Sequence, residues 1–330
     1  MASITRRGTR WQAQIRRKGY PIQTKTFETK KEAKAWTAVV ESEMNRGVFA
    51  DRSEAEHTTL GKALERYANE ITPHKRGAPQ ELRRIRQWQR HPLALRFLSS
   101  LRSVDFSQHR DARLQAGVAA NTVRLELALV SNLFTVAREE WSIAVTNPLN
   151  TVRNPRLPRG RDRRLLKDEE IRLQAVAGND LAFCMTLAIE TGMRAGEIVN
   201  LTWDQIDLPV SVIRLDMTKN GDTRVVPLSD TAVEVIKARP RGINGGPLTR
   251  FRCSNRLSKS FRVACKQAGI VGLHFHDLRH EAASRLAPRV TVQTLAKIMG
   301  WRTLQMAMRY YNPSEQELVR AIRGAVAVTA

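Results

Sequence analysis

Residues 276–280 read His-Asp-Leu-Arg-His, and residues 300–310 read Gly-Trp-Arg-Thr-Leu-Gln-Met-Ala-Met-Arg-Tyr. The first stretch offers imidazoles and a guanidinium, and the second offers an indole N–H and a phenol. An arginine can fork onto the non-bridging oxygens of a phosphate. A tyrosine hydroxyl can act as a nucleophile that forms a covalent intermediate. Together the two stretches predict a phosphate-handling site near the end of the chain.

Two further basic residues extend this pattern toward the N-terminus. Arg194 lies in residues 191–197 (Thr-Gly-Met-Arg-Ala-Gly-Glu), and Lys219 precedes an Asn220-Gly221 turn. Asn-Gly is a strong hairpin signal, so Lys219 is expected near a tip that reaches over a ligand. A lysine there could donate a proton to a leaving oxygen. Taken alone, Arg194 and Glu197 would equally fit a structural ion pair, and only the ordered set favours metal-free attack on a phosphodiester.

The composition identifies the kind of partner. The chain has 55 Lys and Arg against 32 Asp and Glu, a formal charge of +23 over 330 residues. Such an excess favours polyanions, most plausibly nucleic acid. An apolar content of 42% excludes a wholly disordered basic tail. Three cysteines without CxxC spacing indicate reduced thiols, and no stretch approaches the ~18 apolar residues of a membrane span, so a cytoplasmic protein is expected.

The N-terminal segment, residues 1–57, is predicted to be a three-stranded sheet plus one helix. Residues 11–15 alternate apolar and polar side chains, residues 22–27 form a second strand, and Ile4 begins a third. Thr29 and Glu32 form a capping-box pattern that opens the helix. A narrow basic sheet can lie in a DNA groove, although a solvated sheet without DNA is the alternative. The candidate DNA contacts are Arg6, Arg7, Arg10, Arg16, Arg17, Lys18 and Lys25.

The middle segment, residues 58–155, is predicted to be all helical. Residues 80–90 carry Arg83 and Arg84, which are further candidate DNA contacts, and Asn121 is expected to cap a helix over residues 122–141. Trp88 and Trp141 are expected in the core. Residues 156–164 form a basic linker whose Arg156, Arg161 and Arg163 could run along a phosphate backbone.

The last segment, residues 165–330, is predicted to be mixed helical with a small β-sheet. Residues 210–215 and 223–228 are strand-like, and helices are expected at about 255–268, 276–287, 291–299 and 303–310. Ser314 and Glu317 begin a last amphipathic helix, which packs either on its own domain or on a neighbouring protomer. The whole chain is therefore predicted to be mainly α with small β elements, an α+β fold.

The ordered set Arg194, Lys219, His276-x-x-Arg279, Trp301 and Tyr310 closely resembles the tyrosine recombinase (phage integrase) family. The resemblance is most specific over residues 165–312. Residues 58–155 look like the family's helical core-binding domain, and residues 1–57 look like the arm-binding domain of integrases that use two DNA sites. The resemblance implies a site-specific recombinase that needs neither metal nor ATP, and that assembles as a homotetramer on double-stranded DNA with specific recombination sites. An accessory DNA-bending or directionality factor is possible in such systems.

The resemblance also implies a role for each matching residue. Tyr310 would attack the scissile phosphate and become linked to its 3′ side, while Arg194 and Arg279 hold the non-bridging oxygens. Lys219 would protonate the leaving 5′ oxygen. His276 would assist phosphate binding or proton transfer, and Trp301 would donate its indole N–H, so both belong to the implied catalytic set. Two residues would have supporting roles: Glu197 as an orienting carboxylate, and His280 within the His-x-Leu-Arg-His motif.

Two positions depart from the commonest family pattern. Trp301 replaces the more usual His, which leaves a donor that cannot titrate, and Ala307 stands where Thr is frequent. The family spacing favours Tyr310 over the adjacent Tyr311 as nucleophile. Four other readings stay open: a zinc site built on His276 and His280, a Mg²⁺-dependent integrase with a carboxylate triad, a type IB topoisomerase, and a non-catalytic DNA-binding protein such as an excision factor or decayed integrase.

Overall fold

The structure, a computed structural model, describes residues 2–158, 160–161, 163–215, 223–241, 245–311 and Val319. The chain divides into two compact units, Met1–Arg159 and Gly160–Ala330. The predicted boundary at residues 57 and 58 falls inside the first unit. It and the other predicted domain limits stay predictions.

The first unit begins with the predicted sheet and helix. The strands are β1 (Ala2–Arg7), β2 (Arg10–Ile15) and β3 (Gln23–Phe27), which pair antiparallel in that order. Helix α1 (Lys30–Asn45) has the capping box that Thr29 and Glu32 predict. It covers one sheet face, where Ala13 and Ile15 are fully buried. Alternation along β2 therefore leaves the opposite face of the sheet polar.

The rest of the first unit is helical, as predicted. Its helices are α2 (Ser53–His57), α3 (Leu60–Glu70), α4 (Ala78–Gln89), α5 (Ser103–Gln115) and α6 (Ala120–Glu139). Trp88 is 1% exposed and Trp141 is 9% exposed, which confirms that both belong to the core. The expectation that Asn121 caps α6 was wrong. The helix begins earlier, with Ala119 at the cap position, and the Asn121 side chain accepts hydrogen bonds from Arg124 instead.

The second unit is built around a helix, α8 (Asn179–Thr191), whose buried positions are apolar except for Thr191. Its helices are α7 (Lys167–Val176), α8 (Asn179–Thr191), α9 (Ala195–Val199), α10 (Asp230–Lys237), α11 (Ser254–Gln267), α12 (Phe275–Leu286), α13 (Val292–Met299) and α14 (Leu304–Met308). Leu187 on α8, Ile198, Leu257 and Leu278 are fully buried in one core. This core fixes the positions of α9, α11 and α12. Glu197 lies on α9, and His276, Arg279 and His280 lie on α12.

A small antiparallel sheet completes the second unit. It contains β4 (Ile206–Asp207), β5 (Val212–Leu215) and β6 (Arg224–Pro227), of which β4 was not predicted. The predicted tip with Lys219 lies outside the described residues. A second, smaller core forms where α12, α13 and α14 meet, with Leu295, Met299 and Ala307 fully buried. This core brings α14 and the residues after it next to α12.

The mainly helical fold with small β elements is confirmed. The described part of the chain contains two three-stranded sheets, and all other regular elements there are helices. Among these described residues, no helix is both long enough and apolar enough to cross a membrane. The predicted last helix from Ser314 lies outside the described residues, apart from the single position 319.

Candidate active site

Tyr310 lies in a turn directly after α14, two residues beyond the end of the helix. The prediction of a helix through residue 310 was therefore wrong by its last two residues. Its ring stacks on Trp301, with centroids 5.4 Å apart and planes within 6°. On another side the Tyr310 hydroxyl shares a hydrogen bond with Nδ1 of His280. The phenol is thus held by two aromatic neighbours and is not freely exposed.

A glycine turn brings Trp301 to Tyr310. Helix α13 ends at Gly300, whose φ of 62° is the left-handed conformation that favours glycine. The turn reverses the chain into α14, and Ala307 on α14 is fully buried against α13. Ala307 is thus a packing residue. Residues 301 and 310 are consequently fixed by one compact helix–turn–helix unit.

Arg279 is almost entirely buried on α12, with 4% of its surface exposed. Its guanidinium donates hydrogen bonds to the carbonyls of Gly192 and Met299, and it lies 5.7 Å from the centre of the Trp301 ring. Burial, followed by the positive charges of Arg194 and Arg224, lowers the pKa of Arg279 to about 9. The side chain therefore remains a cation at neutral pH and lies next to the indole that supports Tyr310.

Arg194 is the second candidate arginine, and Glu197 orients it. Arg194 precedes α9, and its backbone N–H donates to Glu197 Oε2 at 2.8 Å while its Nη1 donates to Oε1 at 2.7 Å. Its Nη2 is 3.4 Å from the Gly300 carbonyl. The ion pair that the sequence allowed is therefore present, and it also directs the guanidinium toward the turn that carries Trp301.

Arg224 on β6 is a site residue that the sequence interpretation missed. Its Nη2 donates to Glu197 Oε2 at 2.8 Å and its Nη1 to the Met299 carbonyl at 2.6 Å, while its Nε has no hydrogen-bond partner among the residues that the structure describes. Burial lowers the pKa of Arg224. Strand alternation could have revealed it. Val226 faces the core, so a residue two positions earlier must face inward too, and a buried guanidinium requires partners.

The two histidines of the motif stand one helical turn apart on α12. His276 is exposed, and its ring centre is 5.3 Å from that of His280. His276 lines a cavity with Arg194 and Glu197, whereas His280 lines a second cavity with Tyr310. Arg194, His276, Arg279, Trp301 and Tyr310, with the supporting Glu197 and His280, thus form one connected group.

Tyr311 occupies a different environment from Tyr310. Its hydroxyl donates a hydrogen bond to the carbonyl of Val290, and burial raises the pKa of Tyr311. A backbone carbonyl accepts this hydrogen bond but cannot take the proton, so the contact does not activate the Tyr311 hydroxyl. On the zinc alternative, the described residues contain no group of three or more His, Cys, Asp or Glu side chains placed to hold a metal ion.

The candidate DNA contacts differ in how exposed they are and in whether they form ion pairs. Within residues 1–57, six of them are exposed: Arg6, Arg7, Arg10, Arg16, Arg17 and Lys18. Lys25 instead lies on the helix-facing side of β3 and pairs with Glu56 at 3.1 Å. Arg83 and Arg156 are exposed and Arg84 is half-buried. In the second unit, Arg161 pairs with Asp277 and Arg163 with Glu169. The end of the basic linker is therefore attached to the second unit.

Comparison with known proteins agrees with this arrangement. The model of the phage integrase family matches residues 163–317. The shufflon-specific DNA recombinase of Escherichia coli is 40% identical over 273 residues, covering 79% of this chain and 71% of that protein. A Haemophilus influenzae protein described as an integrase/recombinase is 34% identical over 334 residues, covering 96% and 89%.

A solved structure extends the likeness to the fold of nearly the whole chain. A lambda integrase dimer bound to a COC' core site superimposes with a TM-score of 0.65 at 19% identity, over 94% of each chain. At 19% identity this match concerns the fold alone. The two relatives found by sequence are 40% and 34% identical. The chain belongs to the phage integrase family of tyrosine recombinases.

Proposed function

We propose that this chain is a site-specific DNA recombinase that cleaves and rejoins DNA strands through a 3′-phosphotyrosyl intermediate. The observation that carries the proposal is the position of the Tyr310 hydroxyl. The hydroxyl shares a hydrogen bond with His280, and the Tyr310 ring stacks on Trp301. Trp301 directly follows the Met299–Gly300 turn, whose carbonyls accept hydrogen bonds from Arg279 and Arg194. A nucleophile and cationic oxygen-binding groups in one place suit phosphoryl transfer.

In the proposed reaction, the Tyr310 oxygen attacks the scissile phosphorus and the bond to the 5′ oxygen breaks. Arg194 and Arg279 hold the non-bridging oxygens as negative charge builds there. A well-placed donor of this kind is typically worth about 3–4 kcal/mol of transition-state stabilisation. Trp301 donates its N–H, His276 assists at the phosphate, and Glu197 keeps Arg194 oriented. Lys219, outside the described residues, is the proposed general acid.

The assignment of Tyr310 over Tyr311 rests on their hydrogen bonds. The Tyr310 hydroxyl faces a ring nitrogen that can accept its proton, whereas the Tyr311 hydroxyl is tied to the Val290 carbonyl. The raised pKa of Tyr311 further disfavours its phenolate. The phosphotyrosine linkage keeps the energy of the broken bond, so a 5′ hydroxyl can reverse the step without ATP or metal.

The N-terminal sheet is proposed as a second DNA contact, of the arm-binding type. Pairing in β1 and β2 puts Arg7 opposite Arg10 and Thr5 opposite Gln12, on the face that α1 does not cover. Thr24 and Thr26 extend that face on β3. Amide and hydroxyl side chains can read base edges while arginines contact phosphates. A face that carries both kinds of side chain therefore suits a DNA groove better than a face with charged side chains only.

The proposed partners follow from the same chemistry. One relative by fold is a lambda integrase tetramer bound to a Holliday junction, with a TM-score of 0.65. By analogy, this chain acts as a homotetramer on double-stranded DNA carrying its recombination sites, in the cytoplasm, with an accessory DNA-bending or directionality factor where the reaction is directional. The charge of +23 predicts that binding weakens steeply as salt rises.

The deciding experiment is covalent trapping on a nicked suicide duplex that contains the recombination site, in EDTA. We expect wild type to give a denaturation-resistant protein–DNA adduct and Tyr310→Phe to give none. Tight binding of the cognate duplex without any adduct would identify a non-catalytic DNA-binding protein. An adduct that persists in Tyr310→Phe would move the nucleophile to Tyr311, and dependence on added Mg²⁺ would contradict the metal-free mechanism.

A further inference from the structure

The family pattern does not explain the contact between His280 and the Tyr310 hydroxyl. His280 follows Arg279 on α12, and its half-buried ring directs Nδ1 at the phenol oxygen, with which it shares a hydrogen bond. The two rings lie 6.0 Å apart between centroids, at 30°. Trp301 covers the phenol from another side, so the hydroxyl has little freedom to turn elsewhere. His280 is therefore positioned at the very atom that must lose a proton before or during attack.

The surroundings of His280 favour the neutral imidazole. Burial lowers the pKa of His280, and the positive charges of His276, Arg309 and Arg279 lower it further, while Asp277 opposes them. Asp277 is itself engaged, since it accepts from Arg161 and from the His274 backbone N–H. A neutral ring with its proton on Nε2 presents a free lone pair at Nδ1.

The cavity beside Tyr310 adds more positive charge. It has a volume of about 640 Å³, and its lining includes His280 together with four arginines: Arg161, Arg163, Arg164 and Arg309. Three of these arginines are paired with carboxylates: Arg161 with Asp277, Arg163 with Glu169 and Arg164 with Glu281. Cations around the ring oppose its protonation in the resting protein. A bound phosphodiester brings the negative charge that makes a transient imidazolium acceptable.

We propose that His280 is the general base of strand cleavage, taking the Tyr310 proton on Nδ1 as the phenol oxygen attacks. The O–H bond of Tyr310 breaks, an N–H bond forms on His280, the new bond joins Tyr310 to phosphorus, and the 5′ oxygen leaves with a proton from the general acid. On rejoining, the imidazolium returns its proton to the departing phenol. The inference rests on the proposed function, because it requires Tyr310 to be the nucleophile.

The test is a pH profile of single-turnover cleavage on the suicide duplex, for wild type and three variants. His280→Ala removes the base. His280→Gln keeps a side-chain oxygen that can accept a hydrogen bond from the phenol but cannot take its proton. His274→Ala is the matched control, since His274 stands at the start of the same helix with its side chain mostly exposed. Duplex affinity is measured for each variant, so that a folding defect is recognised.

We expect wild-type cleavage to fall at acid pH as His280 becomes protonated. His280→Ala should lose this acid limb, cleave about 100- to 10,000-fold more slowly at neutral pH, and accelerate with rising pH as hydroxide replaces the base. His280→Gln should remain close to His280→Ala, and His274→Ala should follow wild type. A fluorinated tyrosine at position 310, whose phenol is more acidic, should recover much of the cleavage that His280→Ala loses.

Three results would overturn the inference. Wild-type rates in His280→Gln would reduce His280 to a positioning residue. If the pH profile of His280→Ala kept the wild-type shape, whatever the cleavage rate, another group would be the base, with His276 as the first alternative. No gain from the fluorinated tyrosine would mean that proton removal is not the step that His280 assists. By contrast, a wild-type protein that forms no adduct at all would refute the proposed function itself.

Discussion

Replacing Glu197 by glutamine removes the negative charge around which two site arginines are arranged. Glu197 accepts three hydrogen bonds, from the backbone N–H of Arg194, from the Arg194 guanidinium and from Arg224, all between 2.7 and 2.8 Å. Glutamine keeps the shape but has one acceptor oxygen, and its amide group directs donors at a guanidinium. At least one charge-assisted hydrogen bond must therefore be lost.

The burial of the partners sets the size of the loss. The Arg224 side chain is 3% exposed and Glu197 10%, so that pair is shielded from solvent, whereas Arg194 at 21% is partly hydrated. Breaking a buried pair by removing one partner costs about 3–5 kcal/mol. Because water can compensate part of the Arg194 contact, we expect Glu197→Gln to destabilise the second unit by about 3 kcal/mol, near the lower end of that range.

Hydrogen exchange of peptides from α8 and α12 measures the free energy of unfolding of the second unit without interference from the first. Glu170→Gln is the matched control, since Glu170 pairs with Arg285 at a distance of 2.6 Å where both side chains are partly exposed. That variant should lose no more than about 1 kcal/mol. If Glu197→Gln were as stable as Glu170→Gln, the idea of a carboxylate holding two site arginines would be wrong.

Three further outcomes are expected. Tyr311→Phe should lose about 1 kcal/mol of stability with its hydrogen bond yet still form the covalent adduct on the suicide duplex; loss of the adduct would contradict the choice of nucleophile. Gly300→Ala should lower the stability of the second unit by about 1–3 kcal/mol in the same exchange assay. The reason is that φ of residue 300 is +62° and the new Cβ would lie 2.7 Å from Arg224 Cδ. A variant as stable as wild type would refute this close approach. Acidification from about pH 7 to pH 5 should destabilise α5 and α6. Burial is the main cause that holds the pKa of both His91 and His109 below 6.5. As the pH falls, the unfolded chain therefore binds protons before the folded chain does, which lowers the free energy of unfolding. Exchange rates that stay constant over this range would contradict the prediction.

The sequence predicted those parts of the fold that short-range rules control. Alternation along residues 11–15 and the Thr29 capping box depend only on neighbours, and β2 and α1 follow them. Asn121 is the instructive failure. Asparagine is a good cap, but here Arg124, one turn further on, occupies its side-chain oxygen. A local rule failed because a second local partner competed for the same oxygen.

The site itself was only partly predictable, for a different reason. The motif residues could be chosen by their chemistry and order, but their contacts join distant parts of the chain. Arg224 meets Glu197 across 27 positions and Met299 across 75, and His280 meets Tyr310 across 30. Such contacts exist only once helices and strands have packed. The sequence therefore indicated which groups are present, while the fold determined which of them share a proton or a charge.

The charge around the Met299–Gly300 turn has a practical consequence for anyone who purifies or assays this protein. Three guanidiniums, of Arg194, Arg224 and Arg279, meet there with Glu197 as the one carboxylate among their hydrogen-bond partners in the described residues. Because three guanidinium groups face one carboxylate there, a tetrahedral dianion from the buffer is expected to bind at the turn. Sulfate or inorganic phosphate should then compete with DNA for the site, so cleavage rates taken in phosphate buffer would be lower than rates taken at the same ionic strength in chloride.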